Sequence, residues 1–395
     1  MENLTHTLVG LGVAKAGAEK LSPYATTVCL IAANAPDLDV VTSFGGWCAY
    51  LQHHRGITHS IIGTLTLSSL ISAAFWLADR AVASLRHRTP QASFGGLLFA
   101  SLLAGATHPL LDWTNNYGVR PFLPFSGRWY YGDLVFIADP YLWLLVGGAL
   151  FLSTSRAIWQ KVGWALLGAS LTLLIFLVPS RSRFDLPTAT RVIWVVGLLA
   201  LIWARSLGIG ERWGSRLARG ALFGIVIYWL GLSAFHAVAY HRARSIADEL
   251  AQAQGESVAR LAAMPTLANP MRWQVVFETD RASYRFDLAL IDGMKGDGAV
   301  RYEKPRGLAA EVLARAAIAD RCVAALLGFA RFPIARVVFD CPNGVEVRLA
   351  DLRYAEPRPE ARRGFSLAVT LPCQLGSSSD QSDKASSATT SLCRR

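Results

Sequence analysis

Charge is scarce in this chain. Asp, Glu, Lys and Arg make up 17% of its 395 residues and hydrophobic residues 52%, whereas soluble domains carry about 25% charge. With a mean hydropathy of +0.32, that balance argues against a disordered chain and against an ordinary water-soluble enzyme. The six cysteines, at 29, 48, 322, 341, 373 and 393, form no CxxC pair and no zinc-finger spacing, which argues against a structural zinc site. Cys29 and Cys48 read as small apolar fillers. No internal repeat is present. Met1–Gly17 lacks a basic n-region, and His6 breaks its apolar pattern, so no secretory signal peptide is expected there. The net charge of +11 is not read as nucleic-acid binding. Lys and Arg sit mostly between apolar runs, where they act as topology signals and meet anionic headgroups. The twelve Trp suit membrane-interface anchors.

What is present is a series of apolar runs. Ile57–Ala78 is 22 residues and free of charge apart from His59, and Phe94–Leu111 is 18 with only His108. Pro140–Thr154, Val162–Ser180, Val192–Ala204 and Gly220–Tyr240 follow, with 15, 19, 13 and 21 residues. A span needs about 20 residues, so two of these are short. The expectation is a mainly α, polytopic transmembrane helical domain of about six spans over residues 1–240. Two short helices, Leu4–Ala18 and Ala25–Ala35, precede the first span and pack in or against the membrane without crossing it. The loops that would share one side, Asp79–Ser93, Ser155–Lys161 and Arg205–Arg219, carry nine basic residues; the opposite loops carry five. The positive-inside rule puts the first set in the cytoplasm.

Beyond Tyr240 the composition changes. Residues 241–264 read as a charged helical linker. Residues 265–375 read as a small soluble α+β domain, with strands at Trp273–Glu278, Tyr284–Ile291, Ala335–Phe339, Val345–Leu349 and Phe365–Leu371. Leu308–Phe329 between them reads as helical. The Ser-rich stretch 376–395 reads as a disordered tail.

Six of the eight histidines fall in the first 108 residues. His6 starts the first helix. Asp37 and Asp39 follow Pro36, just past a helix end. His53, His54 and His59 stand at the mouth of the first span, and His108 and Asp112 at the far end of the second. Antiparallel spans bring all four motifs to one membrane face. Taken singly, each has a bland reading: an interfacial histidine, a solvated turn, or for Arg55 a headgroup contact. Together they mark a site, because polar groups at membrane depth are costly and need a reason. Imidazole and carboxylate suit Zn²⁺, Mn²⁺ or Fe²⁺. His108 and Asp112, four apart, share a helical face. Pro109 disfavours a helix at His108, which could instead cap a new helix. Asp37 and Asp39 can reach different metals, or one metal and one histidine.

Thr5-His6, Ala35-Pro-Asp-Leu-Asp39, His54-Arg-Gly-Ile-Thr-His-Ser60, His108-Pro-Leu-Leu-Asp112 and Asn116-Tyr-Gly118 together resemble the membrane-bound metal-dependent hydrolase family. That family is also described as LexA-binding, inner membrane-associated hydrolases, and the likeness covers residues 1–180. It implies a bacterial inner membrane and metal-dependent hydrolysis. A fainter similarity, in the fourteen-residue spacing from Asp39 to His53 and in His108-x-x-x-Asp112, is to zinc-dependent phospholipase C and related nucleases. It favours phosphoester substrates.

The expectation is therefore a membrane hydrolase acting on a phosphoester or lipid-like substrate. It would use a divalent metal, Zn first with Mn or Fe as alternatives, and a metal-activated water as nucleophile. His6, Asp39, His54, His59, His108 and Asp112 are candidate ligands. Asp37 is a ligand or the base, and Arg55 would hold an anionic group. The site and residues 241–395 are expected on one side, outside the cytoplasm, with membrane lipids as neighbours. The C-terminal domain would tune access or bind a protein partner. The competing expectation is a non-enzymatic metal-binding scaffold or sensor.

Overall fold

The computed structural model describes residues 1–181, 186–291, 298–340, 344–357 and 365–372. The expected tail, 376–395, lies outside the described residues, as do Cys341, Cys373 and Cys393.

Helices α1 (Asn3–Ala16) and α2 (Ala25–Asn34) pack face to face, and α3 (Trp47–His53) follows a 3-10 stretch, Ala35–Gly45. The first two are shorter than a span and are held by small residues. A Cβ on Gly10 would lie 2.6 Å from the Ala33 Cβ, so only glycine allows this approach. Ala25, Cys29, Ala32 and Ala33 of α2 meet Ala100 and Ala104 in a buried cluster, the close backbone packing that small residues permit between membrane helices. Those two alanines belong to α5 (Phe94–Trp113), the partner of α4 (Ile61–Leu85). Ser60 and Ser93 cap these two spans by accepting from the Gly63 and Gly96 amides, the usual role of a serine N-cap.

A short apolar helix, α6, covers Pro140–Thr154 and contains a π-turn at Trp143–Gly147. It is followed by α7 (Ile158–Arg181), α8 (Thr188–Ser206), α9 (Ile209–Trp213) and α10 (Ser215–Gln252). Five helices among the described residues, α4, α5, α7, α8 and α10, are long and apolar enough to span. The sixth expected span is α6. Its start meets the start of α8 through the Tyr141 and Thr190 hydroxyls at 2.8 Å, and Ser155 past its end accepts from Arg205 of α8 at 3.1 Å. It therefore runs parallel to α8 and crosses with it. Leu142, Trp143, Val146 and Leu150 are buried in the core of this half, so α6 is short because protein rather than lipid surrounds it.

The separate helical linker expected at 241–264 is replaced by a continuation of the last span. Ala239, Ala243, Ala247 and Ala251 are fully buried at intervals of four, a stripe on one helical face. It packs on Trp273, Val275 and Phe277 of a sheet, and this holds α10 together as far as Gln252. The sheet is an antiparallel meander of β1 (Arg260–Thr266), β2 (Asn269–Glu278), β3 (Ala282–Ala289) and β4 (Val300–Glu303). β1 was not anticipated, because its alternation is masked: Leu261 and Ala263 face the helix, while Ala262 and Met264 face a second sheet. The helical stretch 308–329 splits into α11 (Leu308–Ala319) and α12 (Arg321–Phe329). Asp320 causes the break, capping α12 by accepting from the Cys322 amide at 2.7 Å. The second sheet is β5 (Pro333–Asp340), β6 (Gly344–Asp351) and β7 (Ser366–Leu371), paired in that order.

The C-terminal domain docks on the membrane half. Tyr117 and Leu51 are buried in one cluster with Val312, Leu326 and Phe329. Arg331 pairs with Asp133 at 2.8 Å. The fully buried pair Arg353–Asp351, at 2.6 Å, also reaches the Asn116 carbonyl at 2.6 Å. Cys48 of α3 is joined to Cys322 of α12 by a disulfide, which corrects its reading as an apolar filler; Cys29 remains a free, buried thiol.

Removing one partner of a buried ion pair strands the other charge, at a cost of about 3–5 kcal/mol. Arg353→Ala should therefore loosen the docked domain and speed its cleavage in limited proteolysis. Arg281→Ala, at a half-exposed pair, should leave the cleavage rate unchanged.

Candidate metal centre

Pro36 ends α2, and the chain continues in 3-10 turns that aim Asp37 and Asp39 inward. After α3 it folds sharply. Arg55 takes φ 53°, and a Cβ on Gly56 would meet the His53 carbonyl at 2.4 Å. That reversal carries His59 back over Asp37 and Asp39. His108 and Asp112 arrive from α5, whose helix continues through Pro109. Of the two readings of His108, the shared helical face is the one present.

Four donors converge. His59 Nε2 lies 3.1 Å from His108 Nε2, 3.3 Å from Asp37 Oδ1 and 3.4 Å from Asp112 Oδ2. His108 Nε2 lies 3.5 Å from each of the same two oxygens. A tetrahedral ion with ligands about 2.0–2.1 Å away spaces its donors about 3.3–3.4 Å apart. The separations of the two imidazole nitrogens from each other and from the two carboxylate oxygens, 3.1–3.5 Å, lie close to that spacing.

Both imidazoles are set to present a lone pair. His108 Nδ1 donates to the Ala33 carbonyl at 2.6 Å, and His59 Nδ1 lies 3.2 Å from Asp39 Oδ2. A hydrogen bond at one ring nitrogen leaves the other free to ligate. Asp37 also belongs to a second group with Asp39 and His54, in which His54 Nδ1 is 2.9 Å from Asp39 Oδ1. The His59 and His108 side chains are fully buried, whereas Asp37 is 16% and His54 15% exposed, so the site opens on the Asp37–His54 side.

The remaining expected residues stand around this core. His6 stacks on His108 with ring centroids 3.7 Å apart and has its Nε2 3.4 Å from Asp112 Oδ1, outside both donor groups. Its two ring nitrogens and Asp112 Oδ2 are buried without a hydrogen-bond partner. Orphaned buried atoms of this kind need an explanation, and a cation supplies one. Arg55 donates to Asp112 Oδ1 at 2.8 Å and to Asn115 Oδ1 at 3.0 Å, so its guanidinium braces the ligand. His53 is exposed and away from the donors. The Met1 ammonium on Asp112 and the ring of Tyr117, 4.6 Å below the Arg55 guanidinium, were not anticipated. Tyr117 had a signal in Asn116-Tyr-Gly118, but a carbon ring carries no donor pattern.

Burial lowers the pKa of His6 to about 3, with His108 adding to the effect. Burial acts against the charged form of His59 as well, but hydrogen bonds to Asp112, Asp37 and Asp39 outweigh it and raise its pKa to about 10. Burial pushes Asp37 up, yet the His108 and His59 imidazoles hold it well below the usual carboxylate range. His54 and His59 do the same for Asp39. Without a metal, the cluster holds its own balancing proton.

Residues 1–184 match the model of a family described as YdjM inner membrane protein. A Bacillus subtilis (strain 168) protein, described as "Uncharacterized protein YfhP", is 31% identical over 152 residues, covering 36% of this chain and 43% of that protein. The chain thus matches less than half the length of this curated relative. No solved structure matches. The similarity over residues 1–184 and the long apolar helices agree with a multi-pass membrane protein, and the donor cluster is a candidate divalent-metal site.

His59→Ala and His108→Ala should each remove most of the metal measured by elemental analysis of detergent-purified protein, while His53→Ala should leave it intact. Metal binding must also displace the His59 proton. Affinity should rise by about tenfold per pH unit as pH climbs toward the metal-free pKa of this group. Competition with a chromogenic chelator from pH 6 to 9 reads that slope as about one proton released.

Proposed function

We propose that this protein is a membrane-embedded, metal-dependent hydrolase of phosphoesters, with its site outside the cytoplasm. The observation that carries the reading is that three buried donors, His59, His108 and Asp112, gather within 3.5 Å of one another with the part-exposed Asp37 beside them; three protein ligands and one position left for water make a catalytic rather than a closed structural site. His59, His108 and Asp112 would hold the ion and Asp37 would stand at its open position, with Asp39 and His54 offering a second position beside Asp37. The ion when bound supplies Lewis-acid activation of water and of the phosphoryl oxygen. Asp37, part-exposed and held ionised, accepts the proton of the attacking water. Water's oxygen forms the new bond to phosphorus, the bond to the alcohol oxygen breaks, and the proton passes to the released alcohol. Arg55 keeps Asp112 aimed at the centre. A role for it in holding a substrate anion would use Nε, the guanidinium nitrogen left without a partner. Zn²⁺ suits this donor set, with Mn²⁺ and Fe²⁺ next.

The Cys48–Cys322 bridge supports the location, because disulfides persist in oxidising compartments. It agrees with the bias of basic residues toward the opposite loops.

The test is metal analysis together with hydrolysis of a water-soluble phosphodiester by detergent-purified protein. Metal-dependent turnover that falls by about 10³-fold or more in His59→Ala is the expected result. Stoichiometric metal without turnover on soluble or lipid phosphoesters would replace the hydrolase with a metal-holding scaffold or sensor. Reporter fusions after Arg88 and at the C-terminus should give opposite signals, cytoplasmic and extracytoplasmic respectively.

A further inference from the structure

The segment that carries Asp37 and Asp39 has a second face. Between and after the two carboxylates stand Leu38, Val40, Val41 and Phe44, which are 59%, 53%, 56% and 93% exposed. A 3-10 turn repeats every three residues, so Leu38, Val41 and Phe44 line one face, with the exposed Val40 beside it. Large apolar side chains gathered at such exposure in water mark an interaction surface.

What covers them follows from what they adjoin. The 3-10 stretch packs against the first turns of α4, where Ile61 and Ile62 are 53% and 43% exposed on the lipid-facing side of a span. On the other side of that helix end, the Ile61 amide donates to the Pro121 carbonyl at 3.0 Å. This holds a loop whose Phe122 and Phe125 are 46% and 84% exposed. The 3-10 stretch and this loop thus flank the start of α4 and present exposed apolar side chains beside its lipid-facing side. Arg128 follows in the same loop, exposed at the rim, where a guanidinium meets phosphate headgroups.

We propose that the 3-10 stretch and the Phe122–Phe125 loop are seated in the bilayer leaflet on the site's side, and that the site takes its substrate sideways from that leaflet. The substrate is then an amphiphile with acyl chains and a phosphoester headgroup rather than a water-soluble ester. The seat in lipid stands on the exposed surface alone; the substrate class rests on the hydrolase reading. Asp37 would meet the headgroup from inside while Val40, Val41 and Phe44 lie along the chains from outside. The metal centre is therefore placed at headgroup depth by the same residues that supply its carboxylates.

Two measurements on the full chain test this. In the first, a nitroxide is placed at Phe44→Cys or Phe125→Cys in a chain carrying Cys341→Ser, Cys373→Ser and Cys393→Ser. It is reconstituted in phosphatidylethanolamine–phosphatidylglycerol vesicles. The expected label is reached by oxygen and shielded from a water-soluble nickel chelate. A label open to the chelate overturns the seat in lipid and leaves the patch for a protein partner. In the second, the triple variant Val40→Ser/Val41→Ser/Phe44→Ser is compared with the parent on vesicle phospholipid and on a water-soluble phosphodiester. Turnover of vesicle lipid should fall by about tenfold or more, while the soluble ester changes by less than about twofold. Equal losses on both, or no loss on lipid, overturn sideways entry. A parent chain that cleaves neither ester refutes the hydrolase reading and with it the substrate class, and the nitroxide then decides the seat in lipid by itself.

Discussion

Two imidazole nitrogens that face each other at 3.1 Å, with a carboxylate oxygen within 3.5 Å of both, set the terms for everything near them. Like lone pairs at that distance repel unless a proton or a cation lies between them. Here the arrangement stands at the end of a span, with the His108 and Asp112 side chains essentially sealed from solvent. Such a cluster persists only if the backbone over-determines it. The tight reversal at Arg55–Gly56, the Ala33 carbonyl on His108 and the Arg55 guanidinium on Asp112 each remove one freedom. The small-residue packing of α2 between α1 and α5 serves the same end, since it is the close approach of α2 that puts the Ala33 carbonyl within reach of His108.

The C-terminal domain enters this arrangement without contributing a donor to it among the described residues. Arg353 holds the Asn116 carbonyl, and the next residue, Tyr117, lies under Arg55 while packing on Phe329 at 4.7 Å. Arg55 in turn donates to Asn115 and Asp112. A contiguous chain of contacts therefore joins the buried Asp351–Arg353 pair to a metal-type carboxylate. The Cys48–Cys322 bridge ties the same domain to α3, one helix before His54. Among the described residues the candidate metal donors all precede residue 113, so the two halves divide in donor content. That division does not hold for geometry, because the wall beside Arg55 is built by both.

Much of this was legible in the sequence because the relevant signals are local. Apolar runs show spans, and histidines at their ends show which membrane face holds the site. The antiparallel rule is then enough to bring His59, His108, Asp37 and Asp39 together. Non-local effects were not legible. The alanine stripe Ala239–Ala251 reads as a weak linker until the sheet beneath it is known. Cys48 looks like a filler because its partner is 274 residues away. β1 is buried on both faces, which erases the alternation that marks a strand. His6 and Asp39 illustrate the limit at the site itself. A motif names residue types, but whether an imidazole ligates or stacks behind a ligand depends on a ring orientation that spacing does not encode.

The placement of Asp37 ties these levels together. Pro36 prevents α2 from continuing, and in the 3-10 stretch that follows Asp37 and Asp39 are mostly buried while Leu38, Val40 and Val41 are exposed. An α-helix at this point would turn about 100° per residue and set Asp37 and Asp39 about 160° apart, whereas the 120° step of a 3-10 turn sets them about 120° apart. The tighter turn lets both acids reach His59 while Leu38 and Val41, three residues apart, share an exposed face. Exposure of the apolar side chains and convergence of the donors are thus consequences of the same local choice of backbone. Replacing Pro36 would perturb both together, because no other element positions the carboxylates independently of the apolar face.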